Sequence, residues 1–141
     1  MKIRRKARET ALQILYKMDI AGGALDFEGD METLAPGTDG RRYCESLVNG
    51  VHAELDSIDA AIEEHSDNWK VGRMAVVDRN ILRVAVYELK SRLDVPYKVI
   101  IDEAVELAKR YGSEDSGPFI NGIIDRVGKA LHAKEPALRI K

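Results

Sequence analysis

Five cations lie close together at the start of the chain: Lys2, Arg4, Arg5, Lys6 and Arg8. The chain as a whole has a formal net charge of -2, so this cluster is not the by-product of a basic composition. Clustered lysine and arginine side chains bind phosphate, and at a helix start they oppose the helix dipole, which favours acidic residues there. The sequence therefore predicts that an anion, such as the phosphates of a nucleic acid, binds the start of the first helix.

The residues that could support catalysis or hold a metal ion are too scattered to do so. The three histidines are far apart and have no cysteine at metal-ligand spacing: His52, His65 and His132. Cys44 is the sole cysteine and lies in a helical, apolar pattern, which favours a packed and inert thiol. The adjacent acids Asp102 and Glu103 suit the dipole at a helix start. We therefore predict no catalytic residue, no metal site, no cofactor and no enzymatic activity.

Length and composition predict a single globular domain. The chain has 141 residues, of which 45% are hydrophobic and 33% charged. It contains no run of about 18 apolar residues, so no membrane span is expected. A single cysteine suits a reducing compartment, and we predict a cytoplasmic protein. The predicted domain covers residues 1–133, and residues 134–141 form a tail that frays.

Helical periodicity dominates the sequence, and no persuasive strand alternation appears. The predicted helices cover residues 3–19, 41–52, 55–65, 77–92, 96–111 and 116–131, with a single turn possible within 69–74. The helix over 77–92 is apolar nearly all round, which is typical of the middle of a bundle. We predict an all-α fold: a compact bundle of six or seven helices in two small helical subdomains, divided near Pro36. Trp69 is assigned to the core, and Gly122 to a close approach between helices.

Several blocks of the chain carry a family resemblance: RRKARE (4–9) with ALQILY (11–16), VDRNILRVAVYEL (77–89), VPYKV (95–99) with DEAVELAK (102–109), and FINGIID (119–125). In this order and spacing they resemble the NusB family of bacterial transcription antitermination factors, from residue 2 to about residue 127. The resemblance implies an all-helical fold without catalytic activity. It also implies binding of boxA-type RNA together with NusE, a small-subunit ribosomal protein, in a termination-suppressing complex on RNA polymerase.

Two alternatives to this function stay open. One is a helical protein-interaction or homodimer module, since some members of the family pair with themselves and mask the RNA surface. The other is a domain related to the one fused to an rRNA cytosine methyltransferase.

The resemblance also assigns roles to residues. The predicted RNA-binding residues are Arg4, Arg5, Lys6, Arg8, Gln13, Tyr16, Asp115, Ser116, Phe119 and Asn121. Tyr16 either stacks on a base or packs half-buried, and Phe119 either stacks on a base or covers the edge of the core. Because Arg5 and Arg8 lie outside the apolar stripe, we expect their removal to leave stability nearly unchanged.

The resemblance places the NusE contact around the helix over 77–92. Its polar residues are the predicted partner-binding set: Asp78, Arg79, Arg83, Tyr87 and Glu88. An acid at Asp78 suits a basic ribosomal protein. We expect Asp78→Lys to weaken NusE binding while RNA binding by the isolated chain stays nearly intact.

Overall fold

A computed structural model of the chain describes the backbone of residues 2–22, 31 and 34–134, and the side chains of residues 3–22, 31 and 34–131. Within these residues there is no strand, and Val71–Arg73 forms a 3-10 turn. The six α-helices are α1 (Lys2–Ala21), α2 (Asp39–Ala53), α3 (Leu55–Glu64), α4 (Val76–Ser91), α5 (Tyr97–Tyr111) and α6 (Ser116–Lys134). The all-α prediction and the predicted number of helices are confirmed. The tail that was expected to fray lies, from residue 135 on, outside the described residues.

The most apolar helix, α4, lies at the centre of the molecule. It packs against α1, α2, α3, α5 and α6. Its largest apolar side chains, among them Ile81, Leu82 and Leu89, are fully buried. A helix that is apolar on all sides needs neighbours on all sides, so this position follows from its sequence.

The remaining helices pair on either side of α4. α1 packs against α2 and α4, while α5 pairs with α6 and both pack against α4. One cluster of buried side chains runs through all six helices. The segment around Pro36 therefore joins two helices that pack together, and it does not separate α1 from its partners. In the part of the chain that the structure describes, no helix combines the length and the apolarity needed to cross a membrane.

Glycine or proline lies at three of the helix ends. Gly22 follows α1 with a φ of +82°, a left-handed conformation that a side chain would oppose. Pro96 precedes the first residue of α5, where its fixed φ suits a helix start. Gly112 ends the same helix, and its N–H donates to the carbonyl of Ala108 at 2.9 Å.

The glycine that permits close packing within α6 is Gly128. A Cβ at Gly128 would overlap the ring of Tyr97, whose hydroxyl donates to the Asp125 carboxylate at 2.8 Å. A Cβ at Gly122 would instead meet open space, so the expected packing role of Gly122 is wrong. Sequence alone could not separate two glycines on one helix, because the difference lies in the ring that faces each of them.

Candidate nucleic-acid interface

The basic cluster at the start of α1 divides into exposed and buried cations. The Arg5 side chain is 49% exposed, and Lys6 is exposed as well. The Arg4 guanidinium lies 4.4 Å from the centre of the Tyr43 ring and 3.4 Å from the Asp94 carboxylate. Two of the four predicted RNA-binding cations therefore point their charge to the surface, and Arg4 is partly held by its neighbours.

Arg8 is a core residue, which corrects the expectation that it lies outside the apolar core. It is 2% exposed, and its Nε and Nη2 donate to the Glu88 carboxylate at distances between 2.8 and 3.1 Å. The hydroxyl of Tyr43 donates to the same carboxylate, and Arg8 Nη1 lies 3.7 Å from Glu103. Because these acceptors occupy the guanidinium, Arg8 cannot meet a phosphate in this conformation.

Glu88 belongs to the predicted partner-binding set, but its carboxylate does not lie at the surface. It is almost completely buried at the junction of α1, α2 and α4. A buried carboxylate needs a cation and hydrogen-bond donors, which Arg8 and Tyr43 supply. Arg8 and Glu88 are 80 positions apart, so the spacing within each helix could not reveal the pair.

Arg5 is fixed by a second carboxylate at the edge of the core. Its Nε and Nη2 donate to Glu103 on α5 at 3.1 and 2.8 Å. This hydrogen bond from Arg5 holds the pKa of the Glu103 carboxyl below its ordinary value. Glu103 is thus more than the dipole complement that the sequence suggested, because it orients a surface guanidinium.

An apolar groove follows along α1 after the cations. The groove has a volume of about 410 Å³ and is lined by Leu12, Gln13, Tyr16, Lys17, Val77 and Tyr111. Tyr16 is 37% exposed, so the structure favours neither of its two predicted roles alone. Gln13 is exposed. Tyr111 is partly buried and lines the groove, so two tyrosine rings are available to a flat ligand.

The turn between α5 and α6 is tied directly to α4. The Ser116 hydroxyl donates to the Asp78 carboxylate at 2.7 Å and accepts from the Ser113 N–H at 3.0 Å. Ser116 is buried, so it supports the turn and does not present its hydroxyl to a ligand. Asp78 therefore belongs to the predicted RNA-binding turn as much as to α4, which the sequence did not indicate. Asp115 and Asn121 are exposed in the same region.

Phe119 lies at the edge of the core, and part of its side chain stays at the surface. It is partly buried against the core, and its ring meets Trp69 edge to face, with 5.2 Å between centroids and 67° between planes. Trp69 is 46% exposed, so its expected place in the core is wrong. The polar neighbours Asn68 and Lys70 were the sequence signal that could have placed it at the surface.

The polar residues of α4 form an internal network, not a solvent-exposed face. Arg79 donates to Asp19 on α1 at 2.7 and 2.8 Å, and Arg83 donates to Asp19 at 3.0 Å and to Asp59 on α3 at 2.9 Å. The hydrogen bond from Arg79 lowers the pKa of Asp19 to about 2. The charges of Arg79, Arg83 and Glu88 are therefore paired with residues of other helices.

Tyr87 completes the predicted partner-binding set and is half-buried. Its ring lies against Gly50 of α2, where a Cβ would overlap it. Of the five residues in the set, only Asp78 and Tyr87 remain partly exposed without being held in an arginine–carboxylate pair.

Six candidate residues keep part of their side chain at the surface. We call this set the α1–α6 strip: Arg5, Lys6, Gln13, Tyr16, Tyr111 and Phe119. Val77 lines the tyrosine groove, the next residue Asp78 binds Ser116, and Phe119 lies one turn further along α6. Exposed cations followed by exposed rings are what single-stranded nucleic acid requires of a protein, since phosphates meet the cations and bases stack on the rings. The fold and the strip define a helical domain of the nucleic-acid-binding class.

Comparison with known proteins gives the family. The model of the NusB family matches residues 5–129. The transcription antitermination protein NusB of Geotalea daltonii is 46% identical, over 96% of this chain and 100% of its own. T. maritima NusB superposes with a TM-score of 0.80 at 37% identity, covering 89% of this chain and 90% of that one.

A second solved structure contains partners. It is a crystal structure of the antitermination factors NusB and NusE in complex with double-stranded RNA, and the matching chain has a TM-score of 0.80 at 31% identity, covering 92% of this chain and 98% of that one. This chain belongs to the NusB family, whose members are transcription antitermination proteins and not enzymes.

Proposed function

We propose that this chain is a transcription antitermination factor that binds boxA-type single-stranded RNA together with NusE. The assembled pair helps to load a termination-suppressing complex on RNA polymerase, and the protein acts in the cytoplasm. The observation that carries the proposal is the α1–α6 strip, which combines the exposed cations Arg5 and Lys6 with the exposed ring of Tyr16 and the partly exposed rings of Tyr111 and Phe119. A similar chain in a complex with NusE and RNA supports it.

RNA binding is divided between two parts of the strip. Arg5 and Lys6 bind phosphates, and Glu103 holds the Arg5 guanidinium in place while half of that side chain stays in contact with solvent. Tyr16 and Tyr111 accept a base in the groove between them, and Phe119 stacks on another. Arg4 adds to the positive potential, and Arg8 acts only through the core.

NusE binds near the exposed part of α4. Asp78 is the acid there that a basic protein can approach, and it also supports the turn before Phe119. A partner at Asp78 would therefore reach the RNA-binding turn as well. Tyr87 lies on the same helix and is the second candidate contact.

The test is binding of a boxA-type strand, compared with a scrambled strand and with a duplex of the same sequence. Affinity is measured by fluorescence anisotropy at two salt concentrations, with and without NusE. We expect the boxA-type strand to bind more tightly than the scrambled one, and NusE to widen the difference. Equal affinity for both strands in the presence of NusE would refute the proposal. Sedimentation of the free chain separates a homodimer module from a monomeric RNA-binding factor.

A further inference from the structure

Trp69 is held at the surface by a turn that hydrogen bonds fix in place. The two residues before it, Asp67 and Asn68, have φ values of 56° and 63°, a left-handed conformation that these two residue types tolerate best after glycine. The Trp69 N–H donates to the carbonyl of Ser66 at 3.0 Å, and the Ser66 hydroxyl donates to the carbonyl of Trp69 at 3.0 Å. The position of the indole is therefore set before any ligand arrives.

The same turn is fastened to α6. Arg126 Nε donates to the carbonyl of His65 at 2.8 Å, and the Trp69 ring meets Phe119 edge to face. The end of α3 and the start of α6 thus present their two aromatic rings together. Because Phe119 belongs to the α1–α6 strip, Trp69 adjoins that strip.

The surroundings of Trp69 favour an aromatic and anionic ligand. Nearly half of the residue is exposed, so it contributes much less to the core than a buried tryptophan would. Lys70 follows it with a side chain that is 71% exposed and lies 3.8 Å from the Glu63 carboxylate, and Arg73 is exposed three residues later. An exposed ring that has a second ring beside it and two exposed cations close by in the sequence can receive a nucleotide, with its base on the ring and its phosphate on a cation.

We propose that Trp69 binds one unpaired base beyond the boxA-type segment and so extends the RNA site past Phe119. Lys70 or Arg73 binds the phosphate of that flanking nucleotide. The inference rests on the proposed function, because it adds a nucleotide to the RNA that the strip already holds. A protein contact at Trp69 is the competing role, and the experiment below separates the two.

The sole tryptophan of the chain makes the experiment direct. The chain is titrated with the boxA-type strand alone, and with strands extended by one to four nucleotides at the 5′ end or at the 3′ end. We expect indole emission to be quenched by strands extended at one end only, and to be little changed by the short strand. Those extended strands should bind about 5- to 150-fold more tightly, the range for one base stacked on an aromatic side chain.

Substitutions give a second measurement, with labelled RNA followed by anisotropy. Trp69→Leu should reduce affinity for the extended strand to that for the short strand and leave the short strand unaffected. Trp69→Phe should keep most of the gain, because a ring remains beside Phe119. The matched control is Leu93→Ala, which removes a side chain of similar exposure (45%) from the turn between α4 and α5. It should change neither affinity.

The outcomes separate this inference from the proposed function. If the short strand binds but every extended strand binds equally well with unchanged indole emission, Trp69 is not a base site and the proposed function still stands. If NusE changes the emission and RNA does not, Trp69 is a protein contact and the inference is wrong. If no boxA-type strand binds at all, with or without NusE, the proposed function fails first and this inference fails with it.

Discussion

Two arginines three residues apart on α1 have opposite roles. Arg5 and Arg8 lie one helical turn apart, and each pairs with a carboxylate on another helix. Glu103 lies at the edge of α5 and leaves half of Arg5 exposed, whereas Glu88 lies in the centre and encloses Arg8. The depth of the acid, not the position of the arginine, decides which cation can meet RNA.

Removing Arg5 should weaken RNA binding with little effect on stability. We expect Arg5→Ala to lower affinity and to reduce the log–log dependence on salt by about 0.7, the value for one phosphate contact with a single strand. The loss of a half-exposed ion pair should leave the free energy of unfolding nearly unchanged. Lys129→Ala, an exposed lysine on α6, is the control. An unchanged salt slope in Arg5→Ala would place this residue outside the RNA site.

Removing Arg8 should instead lower the free energy of unfolding. Arg8→Met leaves the Glu88 carboxylate buried without its cation, which typically costs about 3–5 kcal/mol. The double variant Arg8→Met with Glu88→Met should recover most of that loss, since no uncompensated charge remains. Urea unfolding of both variants measures the difference. A loss below about 1 kcal/mol for Arg8→Met would contradict the buried pair. The buried pair also contradicts the expectation from sequence that Arg8 can be removed with stability nearly unchanged.

The sequence was most informative about where the helices begin and end. The apolar spacing and the terminators Gly22 and Pro96 placed the helix ends within a few residues of those observed. The same spacing showed that α4 is central. It could not show which polar side chains on α4 face a partner, because Arg83 and Glu88 are satisfied by acids and bases on other helices. Along one helix, a buried ion pair and a solvent-exposed charge look the same.

The network at the end of α1 should make stability depend on acid pH. Asp19 has a folded-state pKa of about 2, against an ordinary value of 3.8, and unfolding releases it from Arg79. Its contribution, about 2 kcal/mol, is present above pH 4 and is lost as the pH falls towards 2. The Asp19→Asn variant should be less stable than the parent at pH 5, and its free energy of unfolding should change less between pH 4 and pH 2. Asp56→Asn, at an exposed site on α3, is the control and should keep the pH dependence of the parent. If Asp19→Asn showed the same pH dependence as the parent, the network would be contradicted.

The hydrogen bond between α4 and α6 should couple Asp78 to Ser116. Ser116→Ala and Asp78→Asn should each cost about 1 kcal/mol of stability, and the double variant should cost less than their sum. Both should weaken RNA binding, because the bond supports the turn before Phe119. Asp78→Lys is therefore expected to impair RNA binding as well as NusE binding, in contrast to the expectation from sequence. Strict additivity in thermal unfolding would show that the bond contributes nothing.

At the scale of the whole molecule, RNA and NusE should bind with coupled affinities. Asp78 contributes to the proposed NusE contact and to the turn that carries Phe119, so each ligand favours the same arrangement of α4 and α6. We expect NusE to raise RNA affinity by a factor of about 5–150, and RNA to raise NusE affinity by the same factor. Calorimetric titrations in both orders measure it. In Ser116→Ala the factor should fall towards one, and an undiminished factor there would exclude this route of coupling.

Because Cys44 is buried, the reactivity of its thiol reports how often α2 opens. This sole thiol is fully enclosed in α2, and burial raises its pKa to about 12, so an alkylating reagent reacts only with molecules in which α2 has come away. The rate of alkylation, relative to that of a free thiol, therefore gives the population of the opened form. If α1 must also separate from α2 for that opening, RNA on α1 slows alkylation in proportion to its occupancy. Mass spectrometry of the native chain would thus follow ligand binding through an atom that no ligand touches.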